Sequence, residues 1–320
     1  MFMSGAVKLL SGDAVWWNLT ALTVHYETQP LPTVFAWYAH HLPLFMQRVS
    51  CGVMFAIELG APFLIFAPRR LRHAAGFAFV FLQTLILLTG NYCFFNLLAL
   101  ALCLVLYDDA FWRFVPPDPA PRRGAAAAVK KVLTGILISA VLVFSVLASG
   151  SRARAWEWPK PLLRAYGWIQ PFGVVNIYGL FADMTTERNE IVIEGTWDGQ
   201  TWEEIQFPFK PGALDRAPRW AAPHQPRLDW QMWFAALGTW KQNPWFVRFV
   251  RRVLQGSPEV MKLLVKNPNH AGPPSSVRAL MYRYRFTDAA AKKATGRWWE
   301  REYRGMYFPP VGLEDFREKS

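Results

Sequence analysis

The longest uncharged stretch is the feature that most constrains how this chain can fold. Residues 74 to 107 contain no Asp, Glu, Lys or Arg. As one helix the stretch would be about 50 Å long, well beyond the roughly 30 Å hydrocarbon core of a bilayer. Gly90 and Asn91 lie near its middle and predict a break. We therefore predict a tight hairpin of two membrane helices, at 74–89 and 92–107.

Two further apolar runs predict membrane helices on either side of this hairpin. One covers residues 44–67 and is apolar from Cys51 onward except for Glu58. The other covers residues 129–149. A single run of this kind also fits a buried helix of a soluble protein, but four of them within about a hundred residues would leave a large insoluble surface. The pattern favours an α-helical membrane bundle over residues 44–150.

Basic residues predict how the bundle is oriented. Cytoplasmic loops carry an excess of Lys and Arg, and the 68–73 turn and the 108–131 loop contain Arg69, Arg70, Arg72, Arg113, Arg122, Arg123, Lys130 and Lys131. With four spans, these two loops face the cytoplasm. The lead-in at residues 1–43, which includes an aromatic segment suited to the membrane interface, and everything after residue 150 then lie on the other side.

Residues 151–320 are polar enough to form a soluble α+β domain. Asp198-Gly199 separates two β-rich runs and predicts a hairpin, because Gly accepts a positive φ without strain. Pro244 and Pro258 each follow a capping residue and predict helix starts. Residues 277–286 alternate as a strand with one basic face. We expect a β-sandwich-like sheet at the core of this domain.

Several function classes lack their usual sequence signals. The net charge is +12, yet no Lys/Arg-rich helix or RNA-binding aromatic motif is present, which argues against nucleic acid as a partner. The three cysteines all lie in apolar runs, and no G-x-S-x-G elbow, P-loop or dinucleotide fingerprint is found. No two histidines stand at helical ligand spacing. We expect no catalytic residue, metal or cofactor, and we favour a non-catalytic role.

Several longer motifs resemble the lipase maturation factor family. They are HYETQP at 25–30, TGNYCFFN at 89–96, NIYG with TTER at 176–188, RLDWQMWFAAL at 227–237, KNP at 266–268, YRYRF at 282–286, WW at 298–299 and YFPP at 307–310. Family members usually carry further membrane segments before HYETQP, whereas only 24 residues precede it here. The chain therefore resembles a microbial-type or N-terminally shortened member.

The resemblance implies a polytopic membrane protein with a large lumenal domain. By this resemblance it resides in the ER membrane, or in the inner membrane if the source is prokaryotic. It implies a chaperone-like maturation factor for secreted hydrolases, with lipases and membrane lipids as partners. An integral-membrane enzyme or a lipid- or glycan-binding protein remains the alternative, in which Glu58, His25, Glu27 and Asp229 would meet around one cavity.

The sequence suggests three groups of candidate site residues. The candidates for contact with a client or ligand are Arg227, Asp229, Trp230, Trp233, Phe234, His25, Tyr26 and Glu27. For Asp229 the favoured interpretation is capping of its own helix, and for the aromatic residues it is burial in the core. The polar residues within the membrane segments are Glu58, Asn91 and Asn96. For Glu58 two interpretations stay open, a functional role within the membrane and pairing with a polar neighbour such as Gln83 or Asn91. The candidates for contact with lipid headgroups are Arg278, Arg283 and Arg285.

Overall fold

The computed structural model describes residues 1–113, 125–152, 158–176, 181–267, 269–270 and 272–316. The α-helices are α1 (Phe2–Leu10), α2 (Ala14–Trp17), α3 (Ala21–Thr28), α4 (Val34–His40), α5 (Leu44–Phe55), α6 (Ala61–Leu64), α7 (Arg69–Thr89), α8 (Phe95–Cys103), α9 (Asp109–Trp112), α10 (Ala125–Arg152), α11 (Lys160–Ile169), α12 (Arg227–Ala236), α13 (Pro244–Leu254), α14 (Pro258–Met261) and α15 (Ala289–Thr295). The strands are β1 (Arg188–Thr196), β2 (Glu203–Ile205), β3 (Ser276–Phe286) and β4 (Trp299–Gly312). Helical membrane segments followed by a mixed α+β region confirm the predicted fold class.

Two compact units make up the fold, and they are interleaved along the chain. The first unit contains Met1–Ala21, Arg48–Leu82 and Ala101–Met184. The second contains Leu22–Gln47, Gln83–Leu100 and Thr185–Ser320. The second unit therefore combines the HYETQP and TGNYCFFN motifs with the C-terminal sheet.

Within the described residues, three helices are long and apolar enough to cross a membrane. They are Leu44–Leu64, Arg69–Thr89 and Ala128–Ser151, and the shorter apolar helix Phe95–Leu106 follows the second of them. The first is continuous through a single turn of π-helix at Ala56–Gly60. The short helix ends in a 3₁₀ turn, Leu104–Leu106.

The short helix α8 forms the predicted hairpin with α7. α7 ends at Thr89 and α8 begins at Phe95, so the break falls at Gly90 and Asn91. Asn96 donates a hydrogen bond to Gln83 (2.8 Å), and Arg72 donates one to the Leu106 carbonyl (3.0 Å). In each pair the two residues are almost equally far from residue 90 along the chain. The two segments therefore run antiparallel to each other and have nearly equal lengths. The returning segment thus reaches the level at which α7 begins.

Glu58 lies on the π-helical turn and is paired within the first unit. Its carboxylate accepts hydrogen bonds from Lys8 Nζ at 2.6 Å and Ser4 Oγ at 2.8 Å, and all three side chains are buried. Ser4 and Lys8 are one turn apart on α1, so both face the same helix. The expected partners Gln83 and Asn91 were wrong, because the sequence alone did not indicate that α1 packs here.

The sheet is antiparallel throughout, with strand order β2-β1-β3-β4. The predicted hairpin joins β1 to β2: the Asp198 carboxylate accepts the N–H groups of Gln200 and Thr201 (2.8 Å each), and Gly199 has φ +76°. The long central pairing sets Ile193 opposite Ala279 and Arg188 opposite Tyr284. β1 begins at Arg188, and its first three residues place the side chains of Arg188 and Glu190 ahead of the apolar part of the strand.

Helices cover one face of this sheet, where a second sheet was expected. Ile191, Ile193, Val277 and Ala279 form a core with the apolar sides of α12 and α13, including Met232, Phe246, Val250 and Val253. The helices begin at the predicted positions, and their apolar stripes fill the space that a sandwich would need. The opposite face carries a smaller cluster of Val192, Tyr284, Phe286 and Trp299 with Ala36 and Trp37 of α4.

Candidate functional site

The motifs of the second unit converge on one cluster, which we call the motif junction. It consists of residues 27–31, Asn91, Arg188, Asp229 and Trp233. These residues come from four sequence motifs: HYETQP with the following Leu31, TGNYCFFN, TTER and RLDWQMWFAAL. The members are joined by hydrogen bonds that cross large sequence distances, so their proximity depends on the fold.

Arg188 is the centre of the motif junction. It is the first residue of β1 and is 1% exposed. Its guanidinium donates to the carbonyls of Glu27 (2.8 Å), Gln29 and Pro30 (2.8 Å). A planar guanidinium has five N–H donors in a fixed fork, whereas a lysine ammonium has three, so arginine can serve more acceptors at once. One side chain therefore fixes the backbone of the HYETQP motif against the sheet.

Glu190 provides the counter-charge for this buried arginine. Its Oε1 accepts from Arg188 Nε (2.9 Å) and Nη2 (2.6 Å), and Lys210 Nζ lies 2.9 Å from its Oε2. Lys210 also donates to the carbonyls of Ile191 (3.2 Å) and Pro211 (2.9 Å). Burying a charge is costly unless it is paired and hydrogen-bonded. Here two cations share one anion, and backbone carbonyls accept from the remaining donors.

Asn91 joins the tip of the helical hairpin to the junction. Its Nδ2 donates to the carbonyls of Leu31 (3.1 Å) and Arg219 (2.9 Å), and its Oδ1 accepts the N–H groups of Ala221 (2.6 Å) and Ala222 (3.0 Å). These four bonds use the full capacity of an amide side chain. Asn91, predicted as a polar membrane residue, thus holds two backbone segments together.

Position 90, next to Asn91, is a glycine because the backbone there packs closely against neighbouring side chains. A Cβ atom at this position would overlap the Gln29 side chain and the ring of Tyr92. Gln29 and Tyr92 are hydrogen-bonded to each other (2.8 Å), so neither is free to move aside. Only glycine fits at the hairpin tip.

The RLDWQMWFAAL motif contributes Asp229 and Trp233. The Asp229 carboxylate accepts the N–H groups of Phe209 (2.9 Å) and Lys210 (2.8 Å). Asp229 lies in the first turn of α12, as expected, but its carboxylate also binds a loop twenty residues earlier, which the sequence did not indicate. Burial raises the pKa of Asp229 above its ordinary value. Trp233 Nε1 donates to the Thr28 carbonyl (2.8 Å), which links α12 to HYETQP.

Glu27 completes the junction through its side chain. Its Oε2 accepts the N–H of Phe286 at 2.7 Å, and burial raises the pKa of this carboxyl. His40 Nε2 lies 3.8 Å from the same oxygen, but burial lowers the pKa of His40 to about 4. The imidazole is therefore neutral at pH 7, and the contact is not an ion pair.

The two residues before Glu27 were also predicted as contact residues. His25 Nε2 lies 3.4 Å from the Tyr92 hydroxyl. Tyr26 packs beside the cluster that contains Trp37 and Trp299.

One edge of α12 is solvent-exposed. Arg227, Gln231 and Phe234 follow each other at helical spacing along this edge, and Leu237 extends it. Phe234 and Leu237 are each 51% exposed, whereas Trp233 beside them is 8% exposed. Trp230 is half-buried against Tyr92, at a ring distance of 6.0 Å. Among the predicted contact residues, Arg227 and Phe234 are the exposed ones.

The basic face of β3 is largely neutralised by acidic neighbours. Arg278 pairs with Glu194 (2.7 Å) and stacks over the Trp202 ring (4.3 Å), and Arg283 pairs with Glu187 (2.9 Å). Arg285 is exposed. Asn96, the remaining intramembrane candidate, is buried and bonded to Gln83.

The polar groups of the junction are committed to internal bonds. Glu27 and Asp229 each accept backbone N–H groups, and these belong to different segments. Two shallow concavities in the second unit, one lined by Pro32, Lys210 and Trp299 and the other by Val192, Glu204 and Gly212, leave room for no more than about one water molecule. In the described part of the chain, no three His, Cys, Asp or Glu side chains are grouped as metal ligands. This arrangement orients segments and presents a surface.

Sequence reasoning missed the residues at the centre of the junction. Arg188 was noted only as part of the TTER motif, and Glu190 and Lys210 were not singled out. A signal was present, because Arg188 and Glu190 alternate with Asn189 ahead of an apolar strand and so share one face of it. Lys8, the partner of Glu58, also lay outside the predicted set.

The three apolar helices and the α+β region that follows define an integral membrane protein. Two family models match this chain: the lipase maturation factor transmembrane domain over residues 1–114 and the lipase maturation factor C-terminal domain over residues 174–309. The chain belongs to the lipase maturation factor family. No solved structure matches it.

Curated relatives agree with this assignment. Lipase maturation factor 2 of Homo sapiens is 36% identical over 417 residues, covering 98% of this chain and 59% of the relative. Lipase maturation factor 1 of Mus musculus is 33% identical over 352 residues, covering 99% of this chain and 59% of the relative. The chain thus spans about three-fifths of the length of the curated relatives it matches.

Proposed function

We propose that this protein is a membrane-anchored maturation factor that assists the assembly of secreted hydrolases, with lipases as the client class. The observation that carries the proposal is the exposed apolar edge of α12, Phe234 and Leu237, on a helix whose other side is buried in the motif junction. The names of the relatives support lipases as clients. The action is by contact, because the polar side chains of the junction are engaged internally.

The motif junction gives this edge a fixed position. Trp233 and Asp229 tie α12 to the HYETQP backbone and to the 209–210 loop, so Phe234 is held on a rigid helix. A partly folded client exposes apolar surface that its final assembly will bury. The α12 edge covers such surface until the client completes its own core or its subunit interface.

Replacing both Phe234 and Leu237 by serine should weaken client binding and lower secreted lipase activity. Burial of each large apolar side chain contributes about 1.5–3 kcal/mol, and about 1.4 kcal/mol is a tenfold change in affinity. The measurement is secreted lipase activity per lipase polypeptide synthesised, in cells that depend on this protein. Gln231→Ala, on the same exposed edge, is the matched control and should leave activity unchanged. Normal activity in the double variant at equal protein level contradicts the proposal.

We further propose that residues 151–320 lie on the non-cytoplasmic side of the ER membrane or of a prokaryotic inner membrane, and that their α+β part, from Thr185 onward, forms a soluble domain there. The basic turn supports this orientation: Arg69 (2.7 Å), Arg72 (3.2 Å) and His73 (3.5 Å) surround Asp108, which brings the two predicted cytoplasmic loops together. The α7–α8 hairpin returns the chain to this level and so keeps the number of crossings even.

Cysteine labelling tests the orientation. Arg70→Cys and Gln200→Cys place thiols at exposed positions, whereas the native Cys51, Cys93 and Cys103 are buried. A membrane-impermeant maleimide added from the non-cytoplasmic side should label the Gln200→Cys protein and should label the Arg70→Cys protein only after permeabilisation. The reverse pattern, or labelling of both from one side, contradicts the proposed orientation.

A further inference from the structure

The segment after the last span, residues 158–176, carries aromatic residues that the described part of the chain leaves exposed. Trp168 is 81% exposed and Phe172 is 80% exposed, although both are large and apolar. Leu163 and Val174 in the same segment are 52% and 51% exposed. Side chains of this type are normally buried in protein or at a membrane interface.

Contacts with α10 place this segment beside the membrane span. Trp158 and Tyr166 pack against each other (4.8 Å between ring centroids), and each lies 6.1 Å from Phe144 of α10. Phe144 stands eight residues before the end of α10 at Arg152, which is about 12 Å along the helix axis. α11 is therefore folded back along the last two turns of the span and does not extend away from its end.

The exposed side of α11 has the polarity of a lipid interface. Lys160, Arg164 and Trp168 follow one another at intervals of four residues along α11, so they form a stripe with basic residues at one end and an aromatic residue at the other. The exposed Phe172 lies in the 3₁₀ turn Gln170–Phe172 that follows the aromatic end. Residues 158–176 contain no Asp or Glu. Long basic side chains reach phosphate groups while their stems and neighbouring aromatic rings lie in the apolar boundary.

We propose that residues 158–174 lie in the interfacial layer of the bilayer, with Trp168 and Phe172 inserted at the acyl boundary and Lys160 and Arg164 at the phosphates. The occupant of this surface is lipid because the surface continues from α10, whose Leu142 (59%), Val143 (50%) and Val146 (58%) are exposed as lipid-facing residues. The segment anchors the exit of the chain from the membrane. The inference rests on the membrane spans and does not depend on the proposed function.

Depth-dependent quenching tests the proposal on the full chain in vesicles of phosphatidylcholine and phosphatidylglycerol. An environment-sensitive fluorophore is attached to Trp168→Cys, Phe172→Cys and Lys160→Cys, with Gln200→Cys as the control in a solvent-exposed turn and the unsubstituted chain as the labelling background. Spin-labelled lipids that carry the quencher near the glycerol end of the acyl chain report insertion, and iodide reports access to water. The substituted side chains are exposed, so their replacement removes no internal packing.

We expect positions 168 and 172 to emit at shorter wavelength than position 200, to be quenched by the lipid and to lose iodide quenching. Position 160 should show weaker lipid quenching than 168, because it lies nearer the phosphates. Iodide quenching of 168 and 172 equal to that of 200 would mean that the segment stands in water and would overturn the proposal. Protection from both quenchers would mean a protein cover, such as a second copy of the chain, and would overturn it as well. Val174→Cys gives an independent test if a label at 168 disturbs the chain.

Discussion

Replacing Arg188 by methionine is expected to lower the free energy of unfolding by about 3–5 kcal/mol, the usual cost of removing one member of a buried, hydrogen-bonded charge pair. The change leaves the carbonyls of Glu27, Gln29 and Pro30 without their donor. It also leaves Glu190, which is completely buried, with Lys210 as its remaining cation. Methionine replaces the apolar stem of the arginine but does not reach the position of the guanidinium, so the expected effect comes chiefly from the lost hydrogen bonds and the lost ion pair.

The thermal unfolding midpoint in a fixed detergent measures this effect. A domain of this size loses roughly 2–4 °C per kcal/mol, so we expect a decrease on the order of 10 °C. Arg304→Met is the matched control, because Arg304 forms an exposed pair with Glu302 at 3.4 Å and such pairs contribute about 0–1 kcal/mol. Arg188→Lys should lie between the two, since it keeps the charge and loses the fork. Equal midpoints for Arg188→Met and Arg304→Met would show that the junction does not depend on Arg188.

The second large effect is expected for Asn91→Asp. This change keeps the shape of the side chain but replaces the Nδ2 donor by a carboxylate oxygen that faces the carbonyls of Leu31 and Arg219. A buried acceptor without a donor costs about 1–3 kcal/mol, and the two bonds to the N–H groups of Ala221 and Ala222 do not remove that repulsion. The 219–222 backbone should therefore detach from the hairpin tip.

Trypsin provides a local readout of this detachment, because it cleaves after arginine: Arg219 is the first residue of the segment, and Arg216 lies three residues before it. We expect cleavage after Arg219 to become faster in the Asn91→Asp protein, together with a lower unfolding midpoint. Asn269→Asp adds the same charge at an exposed loop position and should cleave like the parent. An unchanged cleavage pattern in the Asn91→Asp protein would argue against the role of Asn91 in holding this segment.

Features that depend on neighbouring residues could be predicted from the sequence. The break at Gly90, the Asp198-Gly199 turn and the helix starts at Pro244 and Pro258 follow from local backbone preferences, and all of them stand where expected. The apolar runs likewise revealed the membrane helices, since length and composition alone define them. The predicted 92–107 helix is shorter, because α8 ends at Cys103 and a 3₁₀ turn follows.

Features that depend on distant residues could not be predicted in this way. Asp229 has the position of a helix cap, and the favoured local interpretation followed from that, yet its carboxylate binds the 209–210 loop. Arg188 has the appearance of an ordinary charged residue at a strand end until its acceptors are known. The buried carboxylate of Glu58 needed a positively charged partner. That partner is Lys8, which lies on α1, a short helix with no strong sequence signal. In each case the partner is selected by the fold.

The separation of Arg188 from the HYETQP backbone has a consequence for biosynthesis. Arg188 and the Glu27 carbonyl that it binds are 161 residues apart in the chain. At about 5–20 residues per second, the ribosome supplies the arginine roughly 10–30 s after the peptide that it must hold. During that interval the early segment has its carbonyls open to water or to other proteins. The chain therefore passes through an unfinished stage during its own synthesis, in which the acceptors of the motif junction are made long before their donor.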